Sequence, residues 1–100
     1  MKVFLKSMRN RYEAIGEYFP DTRKLIVKAG SKVSENVSEG KFRSTKAVLR
    51  LRNSGCLKNG ILISDIEFKS PSTAANFVTG TSTNGMMAWK DSNGNALKNL

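Results

Sequence analysis

The chain has 100 residues, which is enough for one domain with a modest core. It carries 17 Lys and Arg residues against 8 Asp and Glu residues, and the resulting net charge of +9 indicates an anionic partner or strong self-repulsion, with nucleic acid as the first candidate partner. It has no histidine and a single cysteine, Cys56, so an intrachain disulfide, the usual zinc sites and catalysis by a histidine base are excluded.

The first 11 residues are basic and surround a short apolar run, Val3-Phe4-Leu5. They predict an N-terminal arm or an edge strand, and we favour a solvated tail with one or two apolar side chains docked on the domain. The apolar run is far too short for a signal-peptide core or a membrane span. We therefore expect a cytoplasmic monomer, without membrane contact, in which residues 12–100 form a single domain.

A β-hairpin is predicted over residues 12–29. Small and aromatic residues alternate with Glu13, Ile15 and Glu17, which is the period of a strand. Phe19-Pro20-Asp21-Thr22 has the composition of a turn, and residues 25–29 are typical of a returning strand. Within the first strand, Gly16 indicates a bulge or a close backbone approach.

A helix with one basic side is predicted over Phe42–Asn53, after a polar loop, and Ser54-Gly55 ends it. Its apolar face consists of Ser44, Ala47, Val48 and Leu51, and its basic face of Arg43, Lys46 and Arg50. Cations at this spacing lie along one axis and suit a phosphate backbone, with Lys41 and Arg52 flanking them. A solvated helix face accounts for the spacing equally well, but the net charge favours phosphate binding.

A turn at Asn59-Gly60 and a central strand region over residues 61–68 precede a second helix. Ser70 is a natural N-cap, Pro71 suits the first helical position, and Gly80 supplies a left-handed stop. The buried face of this helix is expected to comprise Ala74, Ala75, Phe77 and Val78. The other face is polar but uncharged, with Ser72, Asn76 and Thr79.

Residues 81–100 are predicted to form a polar loop, a positive-φ turn at Asn84-Gly85, a strand over residues 86–91, a turn over residues 92–95 and a tail folded on the core. The tail residues expected on the core are Ala96, Leu97 and Leu100. Trp89 is expected in the core, which leaves Lys90 on the opposite face as a candidate contact to nucleic acid.

The start of the second helix is a candidate phosphate seat, since its free amides lie beside the Ser72 and Thr73 hydroxyls. Helix capping alone explains Ser70, and Asn84 is a weaker candidate because it also suits the turn. Two carboxylate pairs, Glu13/Glu17 and Asp65/Glu67, have strand spacing, which usually marks a solvated face. We expect neither an enzyme nor a bound metal or cofactor.

Several short motifs occur together: Ser70-Pro71-Ser72, Asn84-Gly85 and Trp89-Lys90-Asp91, with Ala14-x-Gly16-x-Tyr18 upstream. This combination resembles domain-of-unknown-function family 4357, over roughly residues 12–100. That family often forms the C-terminal part of GIY-YIG nucleases and restriction-system proteins, and it is similar to the RAMA domain. The resemblance implies accessory DNA binding and sensing of modified bases. Related sequences commonly have an aromatic residue directly after Asn-Gly, where this chain has Met86.

Together these features predict an α+β fold, in which a small antiparallel sheet, built from the N-terminal hairpin and later strands, packs with two principal helices. The predicted function is a non-catalytic accessory domain that binds nucleic acid, DNA rather than RNA, through the basic helix. The polar loop over residues 79–84 would approach the bases. The alternative is a protein-interaction module that docks a nuclease or methylase through the neutral face of the second helix.

Overall fold

A four-stranded antiparallel sheet is the frame of the molecule, whose computed structural model describes residues 1–35, 37 and 45–100. Its strands, in spatial order, are β1 (Lys2–Lys6), β2 (Glu13–Phe19), β3 (Lys24–Val27) and β6 (Ile66–Phe68). A two-stranded sheet, β4 (Leu57–Lys58) and β5 (Ile61–Leu62), lies beside it. The helices are α1 (Thr45–Arg52), α2 (Pro71–Thr79) and α3 (Gly85–Ala88), followed by a short 3₁₀ helix (Leu97–Asn99). The predicted α+β class is confirmed.

The predicted hairpin is confirmed as β2 and β3, and both lie in the centre of the sheet. Alternate residues of β2 face the core, where Ala14 and Tyr18 are buried. Gly16 pairs with both neighbouring strands in regular register, so it is a close approach rather than a bulge. A β-carbon there would lie 2.9 Å from the Leu25 side chain and 3.2 Å from that of Val3.

Residues 2–6 form an edge strand, so a solvated tail, our favoured interpretation of the N-terminus, is wrong for this segment. Val3 and Leu5 are buried, and the burial of their apolar side chains stabilises the pairing of β1 with β2. The free edge of β1 is bridged by a segment close to the C-terminal end. The amide of Phe4 donates to the Lys90 carbonyl at 2.7 Å, and the Lys90 amide donates back at 2.9 Å.

The strand predicted in the centre lies at an edge instead. Within residues 61–68, β6 pairs with β3 and with no other described strand, while β5 pairs with β4. Asn59 and Gly60 both have positive φ, 54° and 79°, as a tight hairpin turn requires, which confirms the predicted turn. Lys32 links the two sheets through bridges to Glu13 and Ile61.

Helix α2 begins and ends as predicted. The Ser70 hydroxyl accepts a hydrogen bond from the Thr73 amide, Pro71 occupies the first turn, and Gly80 closes the helix at φ 77°. The four apolar residues expected on its buried face are all buried against the sheet. There the rings of Phe68 and Phe77 lie 5.3 Å apart. Burial of aromatic side chains of this size is a main source of stability in a small core.

The strand predicted over residues 86–91 is wrong, because α3 begins at Gly85. Asn84 has φ −78° and caps α3, accepting from the Met86 amide, so the predicted positive-φ turn is also wrong. Gly85 packs directly on the backbone of Pro71 and Ser72, where a β-carbon could not fit. Glycine is therefore needed here for space rather than for its dihedral freedom.

Trp89 follows α3 and is fully buried, as predicted. Its indole Nε1 donates to the Pro71 carbonyl at 3.0 Å, which ties the C-terminal segment to the start of α2. The predicted turn over residues 92–95 is present, with Gly94 at φ 84°. In the tail, Ala96 and Leu97 are buried, but Leu100 is 57% exposed, so its predicted place on the core is wrong.

Helix α1 packs on α2. The described part starts at Thr45, and residues 42–44 of the predicted helix lie outside the described residues. Val48 is buried and Leu51 packs against the core, but Ala47 is exposed, so the predicted apolar face is wrong at that position. No helix in the described part of the chain is both long enough and apolar enough to cross a bilayer.

Candidate anion-binding groove

A groove of about 1060 Å³ lies between the β1–β2 turn and the loop that follows α2. Among the described residues, its charged lining consists of four cations, Lys6, Arg9, Arg11 and Lys32, and one carboxylate, Glu35. Hydroxyl groups from Thr79, Thr81 and Thr83 line the other side. Cations and hydroxyls are the groups that proteins use to hold phosphate oxygens, so this lining can bind a polyanion.

The backbone of the β1–β2 turn is held by short-range hydrogen bonds. The Ser7 amide donates to the Tyr12 carbonyl at 3.0 Å, and the Ser7 hydroxyl accepts from the Arg9 amide at 3.2 Å. Asn10 takes a left-handed conformation, φ 55°, which asparagine tolerates better than most residues. From the segment paired with the start of β2, the Lys32 Nζ donates to the Asn10 carbonyl at 3.0 Å.

Two arginines of this turn are free to meet a ligand. Arg9 and Arg11 are exposed, and neither forms an ion pair or a side-chain hydrogen bond with any described residue. Lys6 instead lies 3.5 Å from the Glu13 carboxylate. The uncompensated charge of the groove therefore lies mainly at the tip of the turn.

The opposite wall is a neutral loop fastened to α2. The Thr83 amide donates to the Asn76 Oδ1 at 2.9 Å, and the Thr79 and Thr83 hydroxyls lie 2.8 Å apart. The Thr81 amide in turn donates to the Thr79 hydroxyl. The polar residues of α2 thus hold this loop, and the helix face predicted to be open for a protein partner is largely covered by it.

Arg52 holds the interior together, although it was predicted to contact phosphate. Its guanidinium donates to the Phe77 carbonyl at 2.6 Å and to the Ser34 carbonyl at 2.7 Å, and it lies over the Phe77 ring. Partial burial lowers the pKa of Arg52. It caps the carbonyl end of α2, so we leave it out of the proposed interface.

A second groove of about 740 Å³ borders α1 at Leu49, Arg52 and Asn53. Lys46 and Arg50, the remaining predicted cations of α1, are exposed one helical turn apart, but neither is among the residues that line either groove. Ser34 and Glu35 line both grooves, so the two adjoin at these residues. Lys41 and Arg43, the other two predicted cations, lie outside the described residues.

The predicted phosphate seat at the start of α2 is filled by the chain itself. The Ser72 hydroxyl accepts from the Gly85 amide at 2.9 Å, and the Thr73 hydroxyl lies 3.0 Å from that of Ser70. Asn84 uses its side chain to cap α3. The structure thus gives Ser72, Thr73 and Asn84 internal partners. Lys90 is exposed, as its predicted role requires, but it is not among the residues that line either groove.

All four strand carboxylates considered as catalytic pairs are in ion pairs: Glu13 with Lys6, Glu17 with the N-terminal amine, Glu67 with Lys24, and Asp65 with Lys28. The last pair is the shortest, at 2.9 Å, and its hydrogen bond lowers the pKa of Asp65. Among the described residues, no group of three or more His, Cys, Asp or Glu is placed to hold a metal ion.

The groove cations were not predicted from the sequence. Their signal was present, because Lys6, Arg9 and Arg11 stand close together in a segment that also has a strand pattern. A strand and turn predicted over that segment would have placed Arg9 and Arg11 at its tip. Sequence alone could not have assigned Lys32 to the same group, because it comes close to the turn only through the pairing of its segment with β2.

The fold and the groove define a small α+β domain with a basic, hydroxyl-lined groove at one end of its sheet. The family model described as Domain of unknown function (DUF4357) matches residues 4–100. The chain belongs to this family, which confirms that part of the resemblance. No curated protein and no solved structure gives a significant match.

Proposed function

We propose that this chain is a non-catalytic accessory domain that binds DNA through the groove between the β1–β2 turn and the loop after α2. The observation that carries the proposal is the group of four cations in that groove, two of them without a partner among the described residues. The net charge of +9 supports it as well. The proposed interface differs from the predicted one, because the turn replaces α1 as its centre.

Binding is electrostatic in this proposal. Arg9 and Arg11 each bind a backbone phosphate, while the Thr81 hydroxyl donates to a phosphate or base oxygen across the groove. Lys46 and Arg50 are exposed cations outside both grooves, and they add to the positive charge that attracts the duplex. Each neutralised phosphate releases counterions, so affinity falls with salt in proportion to the number of contacts.

The cellular setting that we propose comes from the resemblance. Domains of this kind stand beside GIY-YIG nucleases and in restriction systems, and the similarity to the RAMA domain supports DNA rather than RNA as the ligand and a nuclease or methylase as the working partner in the cytoplasm. Sensing of modified bases belongs to the same proposal. Met86 is not its stacking platform, because it packs partly buried against the core.

The rival proposal, docking of a partner on the neutral face of α2, is less well supported. That face holds the loop over residues 81–85 through Ser72, Asn76 and Thr79. A partner protein could contact this face of α2 only after the loop had been displaced. We therefore carry DNA binding forward as the function that the geometry supports best.

Fluorescence anisotropy with a labelled DNA duplex tests the proposal. We expect binding at about 50 mM salt that weakens steeply by about 200 mM. Replacing both Arg9 and Arg11 by Gln removes two phosphate contacts, so the slope of log K against log salt should fall by about 2.

The matched control is the double replacement of Lys69 and Lys98 by Gln, which removes the same charge from two exposed positions outside the groove. An equal loss in both double variants would show a diffuse charge effect instead of a site. Absence of binding at low salt would refute the proposal altogether.

A further inference from the structure

The tip of the β1–β2 turn presents an apolar side chain among the groove cations. Met8 is 102% exposed, against 43% for Met1 and 49% for Met87. It lines the groove beside Arg9, the next residue in the turn. A single exposed apolar side chain is common on protein surfaces, so exposure alone assigns nothing. Here the side chain belongs to the lining of the groove that is proposed to bind DNA.

The exposure of Met8 is built into the turn. The Ser7 hydroxyl holds the Arg9 amide, the Asn10 amide donates to the Ser7 carbonyl at 3.3 Å, and Lys32 holds the Asn10 carbonyl. These bonds order the backbone on both sides of Met8, whose side chain is fully exposed. A tip that is already ordered loses little conformational entropy when it binds.

Apolar wedges with flanking cations are a known way to hold deformed duplex DNA. Proteins that kink DNA insert Met, Leu, Phe or Ile between two base pairs while basic residues bind the adjoining backbone. Unstacking is costly, and the larger protein surface that the bent duplex can wrap offsets this cost. The β1–β2 turn has both parts, since Met8 projects from it between Lys6 and the two arginines.

Resting on the proposed DNA binding, we infer that Met8 enters a base step of duplex DNA while Arg9 and Arg11 bind the flanking phosphates. The ligand is then a duplex that bends at the site rather than a single strand. Pyrimidine–purine steps are preferred, because they unstack most easily.

The test uses a duplex with 2-aminopurine at a central TA step, since this base brightens when it is unstacked. The full chain should raise its fluorescence several-fold on binding. The Met8→Ala variant should bind roughly tenfold more weakly and give no rise in fluorescence, because the apolar contact that Met8 would bury between the base pairs of the complex is lost. Met87→Ala removes an exposed methionine outside the groove and should behave as the unaltered chain.

The possible outcomes distinguish insertion of Met8 from the proposed DNA binding on which it depends. Two results would refute insertion of Met8 but not the proposed DNA binding. One is salt-dependent duplex binding without a rise in fluorescence, and the other is a rise that persists in the Met8→Ala variant. No binding of the unaltered chain at low salt would overturn both. Because the Met8 side chain is fully exposed, its replacement should leave the thermal unfolding midpoint unchanged, and this checks that the variant folds.

Discussion

Replacing Arg52 by methionine should destabilise the domain by about 3 kcal/mol, because the apolar stem is kept and every guanidinium hydrogen bond is lost. The side chain makes five such bonds, to Ser34, Phe77 and Val78. A bond to a charged donor contributes about 1.5–3 kcal/mol. Arg52 is only partly buried, so water can replace the longer bonds, and we count the two shortest at the lower value. Lysine at this position should recover about half of the loss, since one ammonium can reach one of the carbonyls.

Urea denaturation followed by the fluorescence of Trp89 measures this loss, because Trp89 is the single tryptophan of the chain and is fully buried. Arg50→Met is the matched control: it is the same substitution on the exposed side of the same helix, and it should change stability by less than about 0.5 kcal/mol. If Arg52→Met unfolds at the same urea concentration as Arg50→Met, the reasoning that Arg52 joins α1 to the end of α2 is refuted.

Three further predictions follow from contacts around α2 and the sheet edge. Gly85→Ala should lower the free energy of unfolding, measured in urea, by about 2–3 kcal/mol, because the added β-carbon would clash with the backbone of Pro71. A variant as stable as the wild type would show that α3 can shift away from Pro71. Trp89→Phe should cost about 1–2 kcal/mol, as it leaves the Pro71 carbonyl without its indole donor, and a neutral result would mean that another donor replaces it. In a carbon-detected NMR titration, Asp65 should titrate below its ordinary pKa of 3.8, and Lys28→Met should raise it again. Since the folded pKa is lowered, this pair stabilises the fold above about pH 4 and ceases to do so as the pH falls through the folded pKa, so Asp65→Asn should flatten that part of the stability profile.

Local signals were sufficient for the elements whose ends are determined by neighbouring residues. Helix α2 is the clearest case, since Ser70, Pro71 and Gly80 define its limits without help from distant residues. The Asn59-Gly60 turn is another, because two positive φ values suit this dipeptide. Alternation likewise predicted the strand that the structure shows as β2.

Tertiary contacts decided the elements that were predicted wrongly. Residues 86–89 are apolar enough for a buried strand, but they follow two distant contacts instead: Gly85 packs on the backbone of Pro71, and Trp89 bonds to the Pro71 carbonyl. Arg52 shows that sequence-based prediction of binding residues has the same limit. From spacing alone it resembles Arg50, and only the approach of α2 turns it from a surface charge into an internal donor.

The bridge between Phe4 and Lys90 has a consequence for how the chain folds during synthesis. The hairpin of β2 and β3 is local and can form early, but the outer edge of β1 is covered only after residue 90 has left the ribosome. Until then, β1 carries an unprotected edge that can pair with another chain. A chain stopped shortly before residue 90 should therefore aggregate through β1, whereas one stopped after the tail has docked should remain dispersed.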